Sequence, residues 1–177
     1  MQNNYLVYPI GRFEPPSEIS ESDLIAWMER IGVFGARLVA VLEQHPQMDW
    51  SRPYRPGAWT YVQLVHHLAD SHMNAMIRFK WALTEDNPLI KAYDENAWAL
   101  QSDAQGPMED AVALVKALHA KWLLLMKGMT AEQWKRRYVH PDGMQERTLA
   151  WTAGLYAWHG DHHLAQIEQG IRLSDGQ

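Results

Sequence analysis

Trp158-His159-Gly160-Asp161-His162-His163 lies close to the C-terminal end of the 177-residue chain, and its spacing decides how the rest is read. His159 and His163 are four residues apart. On an α-helix that spacing stacks two side chains one turn above each other on one face. Their ring nitrogens can then reach a single metal ion, each at about 2.0–2.1 Å. A catalytic zinc site takes three protein ligands and keeps one position open. The pattern therefore predicts a helix here and a third ligand on a facing helix.

Thr148 can cap this last helix. At about 100° per residue, Thr152, Leu155, His159, His162, His163 and Gln166 fall within one sector, which the apolar Leu155 directs inward. Ala150, Ala153, Gly154, Ala157 and Gly160 cover much of the other side. Small residues there permit close approach of another helix, in this subunit or the next. Such a histidine pair also occurs as two polar residues with ordinary hydrogen bonds, so it needs a partner elsewhere.

That partner is found in His66-His67-Leu68-Ala69-Asp70-Ser71-His72. On a helical wheel His67, Ser71, Asn74 and Arg78 form a narrow polar stripe beside an apolar face. A polar stripe bordering the core is what a pocket wall inside a bundle requires, and bundles build metal sites from facing helices. His67 is the best third ligand. His72 falls in the apolar sector and reads as a hydrogen-bonded core histidine. His66 points to a packing edge. A solvated seam between helices is the plainer reading of the stripe.

The rest of the chain predicts an all-α protein, a four-helix bundle in a single domain spanning residues 1–177. Residues 1–19 hold Pro9, Gly11, Pro15 and Pro16 and read as an extended arm. Ser20 caps a first helix carrying Leu24, Trp27, Ile31, Phe34, Leu38 and Leu42 at 3–4 spacing. Thr60 with Gln63 forms a capping-box pattern that opens the second helix, with Tyr61, Leu64, Leu68, Ala75, Phe79 and Leu83 as its apolar stripe. A connection over about 84–106 is long for a compact domain, and long connections are often functional. Pro107 suits the first turn of the third helix, whose apolar face is Ala111, Val115, Leu118, Trp122 and Leu125. Between about 136 and 147, Pro141-Asp142-Gly143 marks a turn and allows a small hairpin before the last helix.

Composition narrows the function classes. Apolar residues make up 47% of the chain and nine are Trp, which predicts a packed core. The net charge of −5 without a Lys/Arg run argues against a nucleic-acid or anionic-membrane surface. No stretch approaches the roughly 18 apolar residues of a membrane span. No signal-peptide pattern is visible at the N-terminus, so a cytoplasmic protein is expected. Cysteine is absent, which excludes disulfides, thiolate ligands and a protein thiol nucleophile. Gly160 follows His159, so the glutamate of His-Glu-x-x-His proteases is missing. The Glu-x-x-His repeats of di-iron bundles are missing too.

Pro53-Tyr54-Arg55-Pro56-Gly57-Ala58-Trp59-Thr60 and Val65-His66-His67-Leu68-Ala69-Asp70-Ser71-His72-Met73-Asn74 resemble the YfiT-type branch of the DinB/YfiT superfamily. Further matching stretches are Tyr8-Pro9-Ile10-Gly11, Tyr93-Asp94-Glu95 with Trp98, His140-Pro141-Asp142, Leu155-Tyr156, Trp158-His159 and His162-His163. The resemblance runs in order along nearly the whole chain. It implies a four-helix bundle, a homodimer, and a three-histidine site for zinc or nickel on His67, His159 and His163. Gly160-Asp161, Gln166 and Ala58 depart from the family pattern and leave the ligand positions intact. The branch carries the description of metal-dependent hydrolases, whereas other branches are similar to thiol-dependent transferases and isomerases.

Two chemistries follow as expectations. Three neutral imidazoles leave the ion its full charge, which acidifies bound water for hydrolysis of a small-molecule substrate. The same ion could bind an external low-molecular-weight thiol, such as bacillithiol, for S-transfer. Arg78 suits a substrate carboxylate and Asn74 a polar substrate group. Asp70 is an expected acceptor for a ligand imidazole. Tyr93, Asp94 and Glu95 are expected to close over the site.

Overall fold

The computed structural model describes residues 3–175, so the first two residues of the expected arm lie outside it. A one-turn helix, α1 (Asn3–Val7), stands in the arm that was expected to be extended. The first long helix, α2 (Glu21–Gln44), opens with a capping box. The Asp23 amide donates to Ser20 Oγ, and the Ser20 amide donates back to the Asp23 carboxylate at 2.8 Å. The second, α3 (Tyr61–Thr84), opens on the reciprocal Thr60/Gln63 bonds read from its sequence, at 2.9 and 3.1 Å.

The long connection after α3 is partly ordered as helix. It holds α4 (Glu95–Ala99), capped by Asp94 accepting from the Ala97 amide at 3.0 Å, and a 3-10 turn at Asp103–Gln105. Pro107 sits at the N-cap of α5 (Met108–Lys127), one position before its first turn. The short helix α6 (Ala131–Trp134) follows. The hairpin is present: β1 (Arg137–His140) pairs antiparallel with β2 (Gln145–Thr148), Tyr138 opposite Arg147 and His140 opposite Gln145. Gly143 turns the chain at φ 69°, a conformation that costs glycine little. The last long helix, α7 (Leu149–Asp175), starts where Thr148 Oγ1 accepts from the Trp151 amide at 3.0 Å.

Both α2 and α3 pack against α5 and α7. α2 therefore lies across the bundle diagonal from α3, and α5 from α7, so long connections carry the chain between the members of each pair, whereas the consecutive α3 and α5 are neighbours. Two apolar clusters fill the interior. Trp27, Phe79, Trp122, Trp134 and Tyr138 belong to one, and Phe34, Leu38, Tyr61, Leu68 and Ile167 to the other. His72 lies where they meet: it stacks on Phe34 with ring centres 5.9 Å apart and meets Trp122 and Tyr156 edge-on.

The small residues of α7 face α2 of the same chain. A Cβ on Gly160 would stand 3.0 Å from the Phe34 ring, and one on Gly154 would stand 2.9 Å from Trp27. Asp161 fastens the same pair of helices by ion pairs to Arg30, at 2.7 Å, and Arg37. Among the described residues no helix is long and apolar enough to cross a membrane.

Candidate metal centre

α3 supplies His67, and α7 supplies His159 and His163 one turn apart. Their donor atoms lie within 4.8 Å of one another. His159 Nε2 is 3.3 Å from His67 Nε2 and 3.1 Å from His163 Nε2. Three imidazole lone pairs aimed at one point suit a divalent ion bound through nitrogen. Burial pushes the His67 ring down to about 4. Burial and then the neighbouring histidines hold His159 well below its ordinary range. Burial, with His67 and His162 nearby, does the same for His163. All three are thus kept neutral, the form a metal ligand needs.

The far ring nitrogens are held as well. His159 Nδ1 is 3.1 Å from His72 Nε2. His72 Nδ1 is 2.8 Å from His119 Nε2, and His119 Nδ1 is 2.8 Å from the Ile31 carbonyl oxygen. His163 Nδ1 donates to Gln166 Oε1 at 2.8 Å, and the Gln166 amide nitrogen donates to the Val7 carbonyl at 2.8 Å. His72 is thus the hydrogen-bonded core histidine that its position implied. Asp70 does not hold the outer nitrogens of His159 and His163, which go to His72 and Gln166; burial, and then Asp103, raises its carboxyl above the ordinary range. His66 meets the Gly106 carbonyl at 3.3 Å. His162 turns from the cluster and stacks on Trp158, ring centres 4.6 Å apart.

A cleft of about 520 Å³ opens beside His159, within the usual range for small-ligand sites. Arg78, Tyr156 and Ser71 form its inner wall, Tyr93 and Glu95 come from the long connection, and Tyr138, His140 and Arg147 come from the hairpin. Arg78 is only 7% exposed. Its Nη1 donates to Tyr156 Oη at 3.3 Å, while its Nε has no partner and no carboxylate among the described residues lies within ion-pair distance. Asn74 is not part of this wall, and its amide donates to the Asp70 carbonyl at 2.9 Å. Asp94 caps α4 and leaves the cleft to its two neighbours. Burial raises the Glu95 carboxyl above its ordinary range, against the pull of Arg78.

The sequence pattern of the DinB superfamily matches residues 34–167, which include all three histidines. The chain belongs to the DinB superfamily. Two relatives of this DinB chain carry names of one kind. "Putative metal-dependent hydrolase BH0277" from Halalkalibacterium halodurans is 42% identical over 93% of this chain and 95% of its own length. The YfiT protein of Bacillus subtilis, named in the same words, is 41% identical over 93% of each chain. The solved structure of Bacillus subtilis YfiT superimposes with a TM-score of 0.93 at 40% identity, covering 97% of this chain and 98% of that one. That protein is described as "a probable metal-dependent hydrolase with an unusual four-helix bundle topology". This DinB chain shares the four-helix bundle fold of that protein.

Sequence reasoning missed His119, Gln166 as a ligand holder, and the hairpin as a cleft wall. His119 falls among Val115, Leu118 and Trp122 on a core face, so periodicity alone reads it as packing. Its partners come from other helices, at separations of 88 and 47 residues, and no local signal reports them.

Proposed function

We propose that this chain is a hydrolase that uses one divalent ion, zinc or nickel, on a small molecule bearing an anionic group. The convergence of three neutral imidazole nitrogens beside a cleft carries the reading, and the names of its relatives support it. His67, His159 and His163 would hold the ion. A closed structural site would want a fourth protein ligand, and His162 is turned to Trp158 instead. When bound, the ion supplies a Lewis acid and acidifies water toward a pKa of about 7.

The chain's own groups do the rest. Arg78 presents a fork of donors into the cleft, suited to a carboxylate or similar anion. Trp151 and Leu155 offer apolar surface to the remainder of the substrate. Glu95, its carboxyl raised by burial, is placed in the same cleft to take up or return a proton. Thiol transfer is the second reading. It is favoured by the absence of cysteine, which leaves no internal thiolate to compete for the ion.

Metal analysis of the purified protein and of His67→Ala, His159→Ala and His163→Ala tests the site. One equivalent is expected in the parent and a large loss in each variant; full occupancy in all three variants would overturn the assignment. Activated esters and amides bearing a carboxylate test the chemistry. Turnover without thiol, with solvent oxygen entering the product, is expected. Conjugation that requires an added thiol, with no hydrolysis, would give the second reading precedence.

A further inference from the structure

We propose that His72 and His119 are positioning residues that fix which nitrogen of His159 carries its proton, by passing the polarity of one main-chain carbonyl across the bundle. The consequence for the metal rests on the function proposed above; the proton arrangement itself does not.

The Ile31 carbonyl can only accept, so His119 Nδ1, at 2.8 Å, carries the hydrogen. A neutral imidazole has one ring proton, so His119 Nε2 is a lone pair. His72 Nδ1, 2.8 Å away, must be the donor to it. His72 Nε2 is then a lone pair in turn, and His159 Nδ1 donates to it across 3.1 Å. The remaining nitrogen, His159 Nε2, is left bare where it faces His67 Nε2 and His163 Nε2.

The opposite polarity fails at both ends. It sets a lone pair against the Ile31 carbonyl, and it drives a hydrogen from His159 Nε2 into the point shared by the three rings. His119 is 2% and His72 1% exposed, so water is a poor substitute partner at either link. A ligand imidazole usually donates its second nitrogen to one outer partner. In this chain the outer partner needs its own proton fixed, and a second histidine fixes it.

Two consequences distinguish this from a pair of buried, hydrogen-bonded rings. His72 cannot serve as a fourth ligand, because its one lone pair is spent on His159. And α2, which provides no metal ligand, sets the polarity of the site through Ile31. His163 has an independent and shorter arrangement of the same kind, through Gln166 to the Val7 carbonyl on α1.

Long-range proton–nitrogen NMR on protein labelled at histidine nitrogen reads ring protonation directly. His72, His119 and His159 are each expected to carry hydrogen on Nδ1, both free of metal and loaded with diamagnetic zinc. Hydrogen on Nε2 of His72 or His159 in the parent protein overturns the proposal, with no variant required. His119→Leu keeps bulk but breaks the relay, whereas His119→Gln retains a donor for Ile31 and an acceptor for His72. The leucine variant should show mixed protonation at His72 and His159 and bind zinc about 10- to 100-fold more weakly, and the glutamine variant should restore both. Unchanged protonation and zinc affinity in the leucine variant overturn the proposal. A parent protein that binds no zinc yet shows the Nδ1 pattern supports the relay and removes the metal reading instead.

Discussion

Arg78 concentrates the conflict between stability and function at a single residue. A guanidinium 7% exposed, bonded to Tyr156, with an unpartnered Nε, influenced by Glu95 but forming no close ion pair among the described residues, has lost most of its water without full compensation. Burying charge in that way opposes folding. On the function proposed above, a substrate anion entering the cleft would supply the missing partner. Arg78→Met keeps most of the bulk and removes the charge. Its unfolding free energy, from urea titration, is expected to be no lower than that of the parent. Charge-assisted bonds contribute about 1.5–3 kcal/mol, so KM for a carboxylate-bearing substrate should rise roughly 10- to 100-fold. A variant that unfolds more easily and keeps its KM would make Arg78 a structural residue.

At the scale of elements, α2 and α7 are the pair whose separation controls the site. Gly160 lets Phe34 close on α7, and Phe34 in turn stacks on His72. Replacing Gly160 with Leu puts a branched side chain where the Phe34 ring stands. Overpacking of that kind costs about 1–3 kcal/mol, and it displaces the ring that backs His72. Both a lower urea midpoint and weaker zinc binding are expected, measured on the same preparation. An unchanged midpoint would mean that α2 can move away freely, contrary to the Asp161 ion pairs that hold it. The caps of α2, α3 and α7 were legible because Ser20, Thr60 and Thr148 bond to residues three positions ahead. The helices α1, α4 and α6 were not: a helix of one turn has little intrinsic stability and forms where its neighbours hold it.

Across the whole molecule, the buried histidines link stability to pH. Burial holds the His119 ring at about 4 in the folded chain, against about 6.5 when unfolded. Between those values the unfolded chain binds the additional proton. The stability is therefore fully present above about 6.5 and is lost as pH falls toward 4. At roughly 1.4 kcal/mol per unit, this one histidine accounts for about 3 kcal/mol. Thermal unfolding of the metal-free protein should show a midpoint that falls steadily over that interval. Added zinc should raise the midpoint at neutral pH and raise it less as protons compete for the rings. A midpoint flat from pH 7 to 4 would contradict the burial of neutral histidines.

The four long helices, the caps of α2, α3 and α7, and the three converging histidines were readable from the chain alone. Each is encoded by spacing within one helix: His159 and His163 by four residues, and His67 by its place in a polar stripe that borders an apolar face. The hairpin was readable from its turn residues, although its service as a cleft wall was not. Three things were decided by the tertiary structure: the diagonal placement of α2 from α3 and of α5 from α7, the burial of Arg78 in the cleft wall without a close ion pair, and the chain of contacts through His72 and His119. These depend on which helices become neighbours, and that is set by packing summed over many side chains. His119 has no meaning beyond an apolar face until α5 brings it within 2.8 Å of both the Ile31 carbonyl and His72.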